Sequence, residues 1–232
     1  MTVAAIVVAA GRGERMGGQT PKALIPLAGT PILLHTLRAF DATASIDSIG
    51  AVVAEDHCNR TRELLAATGP WRCPLTVVSG GAERQDSVAA GLAALPPAID
   101  LVAVHDGARP FVRPAQIADV IADAARHGAA VLAMPSRDTA KLVDSHGIVT
   151  GTPPRESVWL AQTPQVFRAQ LLREAHDRAR REGVIATDDA ALLERLGHAV
   201  RVVRGDATNL KITTPDDLRW AEWYLQTCAA PR

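Results

Sequence analysis

Little in this chain points to crosslinks, nucleic acid or membrane. Cys58, Cys73 and Cys228 are its three cysteines, without paired spacing, so neither a disulfide framework nor a metal knuckle is expected. A charge bias is also missing. Lys and Arg total 25 against 25 Asp and Glu, where a nonspecific nucleic-acid binder would carry a basic excess, so any phosphate chemistry must be local. No basic residue precedes the first apolar run, Val3 to Val8, and that run is too short for a signal peptide or a membrane span. A cytoplasmic protein is expected. There is no internal repeat and no low-complexity tract.

What is present is a globular composition, 47% hydrophobic and 22% charged, in 232 residues, enough for one large domain with a full core. Short apolar segments (Ala4–Val8, Gly50–Ala54, Leu75–Ser79, Leu101–Val104, Ala129–Ala133, Ala199–Val203) read as strands. They alternate with helical patterns at Pro31–Phe40, Cys58–Ala67, Arg84–Leu95, Pro114–Arg126, Ala169–Arg181, Asp188–Leu196 and Pro215–Leu225. Strands that are apolar throughout, joined by helices, predict an α/β fold with a mostly parallel sheet covered on both faces. Pro31, Pro114 and Pro215 sit where a first helical turn tolerates proline, and Thr214 is a candidate N-cap. From Pro135 to Trp159 no helical period appears. Thr139–Val143 and Ile148–Thr152 flank Asp144-Ser145-His146-Gly147 as a hairpin, predicting an arm over about residues 136–158. A two-stranded ribbon is marginal alone in water, so the arm is expected to pack on a second subunit. Trp159, Trp220 and Trp223 are expected in core or interface packing.

The densest chemical signal is Ala9 to Lys22, AAGRGERMGGQTPK, directly after the first strand. Gly11, Gly13, Gly17 and Gly18 surround Arg12 and Arg15, and the stretch ends on Lys22. Glycines let backbone N–H groups converge on phosphate oxygens, and fixed cations turn that seat into a site for a reacting polyphosphate. Two common glycine loops are excluded. Lys22 lies between Pro21 and Ala23, unlike a Walker A lysine, and Met16 stands where a dinucleotide fingerprint needs its third glycine. The whole pattern A-A-G-x-G-x-R-M-x(5)-K resembles the signature of sugar-phosphate nucleotidyltransferases.

Further turns after strands should face the same crevice, since open α/β sheets bind ligands beyond their carboxyl ends. Gly80 and Gly81 open a turn in which backbone can approach a flat base, and Ser87 is either a ligand contact or a first-turn helix serine. Asp106, in Val104-His105-Asp106-Gly107-Ala108-Arg109, stands where a phosphate-bound Mg²⁺ is expected. Arg109 serves an acceptor phosphate or neutralises Asp106. His105 is read as structural, because transfer onto an existing phosphate needs no general base. Asp188 and Asp189 read first as acids at a helix N-terminus, and secondarily as metal ligands.

The stretches VAAGRGERMGGQTPKAL, GGAERQDSV, VHDGARPFV, RDTAK, LAQTPQVF, TDDA and NLKIT occur in the order of one family, which the chain resembles over almost its whole length. That family is 2-C-methyl-D-erythritol 4-phosphate cytidylyltransferase, of non-mevalonate isoprenoid biosynthesis. The resemblance implies a Rossmann-like domain, CTP and a methylerythritol phosphate as substrates, Mg²⁺, and a homodimer with interlocking arms. It implies that Arg15 and Lys22 stabilise the transition state, while Arg155, reaching across the dimer, and Lys211 position the acceptor phosphate. It further implies acceptor contacts at Arg109, Thr139 and Thr163, and Asp106 near metal and substrate. Contacts to the cytosine and its surroundings fall on Ala9, Ala10, Gly11, Gly81 and Ser87, with Gly13 in the same nucleotide loop. The chain stops soon after its last helix, so no fused cyclase domain is expected. A cytidylyltransferase for ribitol 5-phosphate is the nearest rival, disfavoured by Ala9-Ala10. Wider rivals are an enzyme using another NTP with a sugar 1-phosphate, and a non-catalytic nucleotide-binding domain.

Overall fold

The first apolar run becomes β1 (Val3–Ala9), whose leading five residues are buried on both sides. The structure, a computed structural model, describes residues 1–11 and 22–228. The remaining strands of the central sheet are β4 (Ser48–Val53), β5 (Leu75–Ser79), β6 (Leu101–Asp106), β7 (Ala129–Pro135), β10 (Trp159–Arg168) and β11 (Arg201–Arg204). Their spatial order is β11-β7-β10-β6-β1-β4-β5. All pairs are parallel except those of β10, which runs against both β6 and β7.

Helices cover both faces. On one side lie α1 (Ile32–Asp41), α2 (Cys58–Ala67) and α4 (Pro114–His127); on the other lie α3 (Arg84–Ala94), α5 (Ala169–Glu182) and α6 (Asp189–Arg195). The sequence of α4 shows why it docks. Ile117, Val120, Ile121 and Ala124 recur at helical spacing and are all buried. Burying each Ile or Val side chain contributes about 1.5–3 kcal/mol. Pro114 opens this helix and Gly128, at φ +93°, closes it in the left-handed region that favours glycine. The last helix, α7 (Pro215–Thr227), is capped by Thr214, whose hydroxyl accepts from the Asp217 N–H, as expected. No helix among the described residues is long and apolar enough to cross a membrane.

Three features depart from the sequence reading. A two-stranded hairpin, β2 (Pro26–Leu27) with β3 (Thr30–Pro31), turns at Ala28-Gly29, both at positive φ, and precedes α1. Trp223 is 54% exposed on α7 and Trp159 37% exposed at the start of β10, so of core or interface packing only the interface alternative is left to them. Trp220 does pack, stacked on Tyr224 and edge-on to Phe111. The largest departure is β10, which the sequence reading passes over because its centre is Gln162-Thr163-Pro164-Gln165. Proline and polar residues argue against a central strand. They are accommodated because the register with β7 breaks between Ala161 and Gln165.

The expected hairpin forms. Short strands β8 (Leu142–Val143) and β9 (Val149–Gly151) pair antiparallel, and residues 141–150 are all exposed. Asp144 builds the turn, its carboxylate accepting from the N–H groups of His146 and Ile148.

Candidate active site

Beyond the carboxyl ends of the strands, Ala9 and Ala10 at the end of β1 meet the turns after β5 and β6, and small residues allow it. A side chain at Gly107 would come within 3.0 Å of the Ala9 Cβ, and one at Gly80 within 2.6 Å of the Ala10 Cβ. Ala9-Ala10 therefore lies between two glycine turns, which is a packing reason for its size. Gly81 is equally constrained, since a Cβ there would sit 2.4 Å from that of Asp86. Ser87 is 1% exposed, accepts from the Gly81 N–H at 3.2 Å and donates to the Glu83 carbonyl at 3.1 Å. Of its two readings, the geometry gives the first-turn helix serine that shapes the loop.

The break in β10 is what builds the chemistry. Beyond Gln165, paired with Val104, no ladder partner remains for the Asp106 N–H. The Thr163 hydroxyl takes its place, accepting from that N–H at 3.1 Å and lying 3.0 Å from His105 Nδ1. His105 Nε2 in turn lies 3.2 Å from the Arg109 carbonyl. A neutral ring donating from Nε2 and accepting at Nδ1 satisfies all three groups. Complete burial pushes the His105 pKa down to about 3, against the weaker pull of neighbouring Asp106. His105 is thus a structural strut, as read from the sequence.

Asp106 ends β6 at the floor of a cleft of about 290 Å³. Lys211 Nζ lies 2.9 Å from its carboxylate, Arg84 Nε 3.3 Å and Arg109 Nε 3.5 Å. Burial opposes its charge, and the Lys211, Arg84 and Arg109 charges more than offset that, holding it far below the usual carboxylate range. Burial lowers the Arg109 pKa, with Asp106 pulling the other way. Arg109 pairs with Asp106, as the second of its two readings has it, and it also lines the cleft. Lys211 is held by its loop: Arg109 Nη1 donates to the Asn209 carbonyl at 2.8 Å, and the Asn209 amide donates to the Thr163 carbonyl at 2.9 Å.

Asp106, Arg109, Thr163 and Lys211 are thus brought together, joined by Gln162, Gln165, Thr187 and Asp188. Arg84 was missed in the sequence. Its signal was available, because a cation on the first residue of a helix opposes the macrodipole and calls for a reason. Asp188 caps α6 through the Ala191 N–H, as its first reading has it. Asp189 does more than meet the dipole, for it is buried between Arg84 and His176. Lys22 opens a short 3-10 turn and does not line this cleft; its charge helps to lower the Asp217 pKa, after burial, which raises it, and hydrogen bonds from Thr213 and Thr214. Thr139 and Arg155 are exposed along the arm and are not among the residues that line the cleft. Gly13 and Arg15 lie outside the described residues, and Gly11 is exposed at their edge. Among the described residues no three His, Cys, Asp or Glu side chains cluster as a ready-made metal site. Of the two cleft carboxylates, Asp188 is engaged by the Ala191 N–H and the Gln165 amide, so Asp106, itself paired with three cations, is the one that would take a divalent ion bringing phosphate oxygens and water as its other ligands.

A second hollow, about 340 Å³, lies beside α1 and is lined by His35, Arg38 and Thr68. Its arginine is already used, donating to the carbonyls of Thr68 and Pro70 and stacking on Trp71. Pro110, from the loop after β6, also lines it, and none of the residues that meet at Asp106 does.

Comparison with known proteins agrees with the loops. The family model for 2-C-methyl-D-erythritol 4-phosphate cytidylyltransferase matches residues 3–227. The chain is 48% identical over 224 residues to the enzyme of that name from Pelotomaculum thermopropionicum, covering 97% of this chain and 94% of the relative. It is 45% identical to the one from Geotalea uraniireducens, with both chains fully covered. Among solved structures, 4-diphosphocytidyl-2C-methyl-D-erythritol synthase from Anaerococcus prevotii superimposes with a TM-score of 0.87 at 32% identity, covering 97% of this chain and 96% of that one. The 2-C-methyl-D-erythritol 4-phosphate cytidylyltransferase of Thermus thermophilus gives 0.77 at 38% identity, covering 97% and 100%. With its order of loops, its one reversed strand and these matches, the chain belongs to the 2-C-methyl-D-erythritol 4-phosphate cytidylyltransferase family of nucleotidyltransferases.

Proposed function

We propose that this chain transfers the cytidylyl group of CTP to 2-C-methyl-D-erythritol 4-phosphate in the cleft at Asp106, releasing pyrophosphate. Family membership carries the reaction; the carboxylate ringed by Lys211, Arg84 and Arg109 supports the place. An oxygen of the acceptor phosphate attacks the α-phosphorus in line. The bond from that phosphorus to the pyrophosphate oxygen breaks, and its electron pair leaves with pyrophosphate. Since the nucleophile is already ionised, positioning and charge stabilisation do the work.

The cations divide the task. Lys211 and Arg109 hold the acceptor phosphate, while Lys22 and Arg15 face the charge that builds at the α-phosphoryl group. Asp106 is the residue to hold a nucleotide-borne Mg²⁺, which when bound screens the approach of one anion to another. The Gly80-Gly81 turn and Ala9-Ala10 seat the base. Arg155 completes the acceptor site of a partner subunit, in a homodimer joined through the arm. The exposed apolar side chains of Leu142, Val143, Ile148 and Val149 support that packing. The reaction is placed in the cytoplasm, in keeping with its need for CTP.

The test is pyrophosphate release from each of the four NTPs with Mg²⁺ and either methylerythritol or ribitol phosphate. Release with CTP and the methylerythritol phosphate is expected. Preference for ribitol phosphate, or nucleotide binding without release, defeats the reading. Lys22→Ala is expected to raise the barrier by about 2–4 kcal/mol, on the scale of one preorganised donor; unchanged turnover removes its role.

A further inference from the structure

Behind the cleft runs a chain of charged groups that the transfer itself does not call for. Arg84 lies between two carboxylates. Its Nε faces Asp106 at 3.3 Å and its Nη1 donates to Asp189 at 2.7 Å. Asp189 is 1% exposed, and its second oxygen lies 2.9 Å from Nε2 of His176, itself buried on α5. Both Asp189 oxygens are therefore engaged, one toward the cleft and one away from it. The elements around them are fixed too. Arg84 is the first residue of α3, where Glu83 and Asp86 form a reciprocal capping box. The start of α6 is fastened to β10, since the Gln165 amide donates to Asp188 and accepts from the Ala190 N–H.

Such an arrangement is a poor device for stability alone. Removing charges from water costs several kcal/mol per ion, and apolar replacements of buried pairs are often neutral or stabilising. A cation at the start of α3 also opposes that helix's dipole. What the chain accomplishes is geometric. A guanidinium tied only to Asp106 could swing with it or follow an incoming phosphate. Tied at a second point to a buried carboxylate, it becomes a fixed wall of the cleft, 28% exposed and facing the groups that meet substrate. Preorganised charge of this kind acts in the transition state without reorganising when it forms.

We propose that Asp189, braced by His176, is a positioning residue for cytidylyl transfer that acts through Arg84 on Asp106. This rests on the siting of the reaction at Asp106. Loss is expected in turnover rather than in ground-state binding. The Asp189→Asn enzyme, unchanged in size, should lose about tenfold to a hundredfold in kcat, the scale on which orienting partners act. Its KM values for CTP and acceptor should stay within about threefold, since interactions made only in the transition state leave binding unchanged. A merely structural Asp189 would instead lower the thermal midpoint and leave kcat intact.

The decisive measurement is a double-mutant cycle with Arg84→Met, following kcat, both KM values and thermal midpoint. If Asp189 acts through Arg84, adding Asp189→Asn to Arg84→Met changes kcat by less than about threefold. Independent, multiplying losses overturn the inference, as does wild-type kcat in Asp189→Asn. Should Asp189→Asn not fold, Arg84→Lys serves, since its side chain is partly exposed and an ammonium cannot span both carboxylates. It should show the same kcat loss when assayed well below its own thermal midpoint; wild-type kcat there overturns the inference. Asp106→Asn separates the two levels. Full turnover in that variant overturns the siting and this inference together, whereas a dead Asp106→Asn beside an unimpaired Asp189→Asn overturns the inference alone.

Discussion

The cleft and the arm are opposites in how their polar groups are satisfied. At Asp106 every charged group has a partner within the chain, supplied by β6, β10, α3 and the loop after β11. Along the arm, Arg155 and Thr139 are exposed, and apolar Leu142, Val143, Ile148 and Val149 face water. One region is finished by its own fold, and the other leaves apolar and charged side chains in solvent. The difference teaches how to assign roles. Cleft substitutions should damage the reaction in the subunit that carries them, while arm substitutions should damage a neighbour.

Lys211→Ala sharpens this first and should show the largest effect. Lys211 is 2.9 Å from Asp106, and Asn209 fixes its loop. Loss of a preorganised cation should lower kcat/KM about 10²- to 10³-fold. A deficit below tenfold would mean that Arg109 and Arg84 suffice for the acceptor.

Arg155→Ala should act almost as strongly, but in the other subunit. Its KM for the acceptor should rise about tenfold or more while that for CTP changes little, as loss of a charged contact in one subsite predicts. Mixing it with Lys211→Ala is the sharper experiment. A heterodimer then holds one cleft with its own Lys211 and the partner's intact Arg155, and one cleft lacking both. Random reassortment makes half the dimers mixed, so about a quarter of wild-type activity should return. Mixtures no more active than their parents would place Arg155 in its own subunit's site, or in none.

How far the sequence carried this reading follows the same divide. The β1, β5 and β6 loops were legible because their strands are mostly apolar and are followed within two residues by Gly11, Gly80 and Gly107. The hairpin of the arm was legible from Asp144 and Gly147. What stayed hidden was β10. Gln162, Thr163 and Gln165 are buried there only because Asp206, His105, Asp188 and Ala190 arrive from distant segments to bond them. A one-dimensional pattern records the polarity of a residue and not its partner. Arg84 and Asp189 were hidden for the same reason, being 105 residues apart. Lys22 carried its signal in sequence, yet the rest of its loop, Arg15 included, lies outside the described residues.

A third prediction concerns stability at the cleft and is smaller. The His105 pKa is about 3 when folded, against an ordinary value of 6.5. A depressed histidine binds its proton in the unfolded chain first. Its contribution is therefore complete above pH 6.5 and lost as pH falls toward 3, by at most about 1.4 kcal/mol per pH unit. Chemical denaturation of wild type and His105→Gln should show a stability gap that narrows steadily from pH 6.5 to 4. A gap constant across that range would mean that the ring is already protonated in the fold, contrary to the Thr163 and Arg109 bonds.

The smallest effect on the chain itself is expected at the arm, and it tests the comparison from the other side. Leu142 and Val143 are each 58% exposed, on a strand that pairs only with β9. Leu142→Asp removes no core contact, so chemical denaturation of the body should shift by no more than about 0.5 kcal/mol, as for surface positions generally. If the arm docks on a second subunit, however, the same aspartate must be buried without a partner there, which costs several kcal/mol at the interface. Sedimentation should then show dissociation at concentrations where wild type is dimeric, and the acceptor KM should rise as Arg155 is withdrawn. Unchanged mass and unchanged KM would mean that the apolar side chains of the arm face water in the working protein. The contrast between cleft and arm would then be one of exposure and not of function.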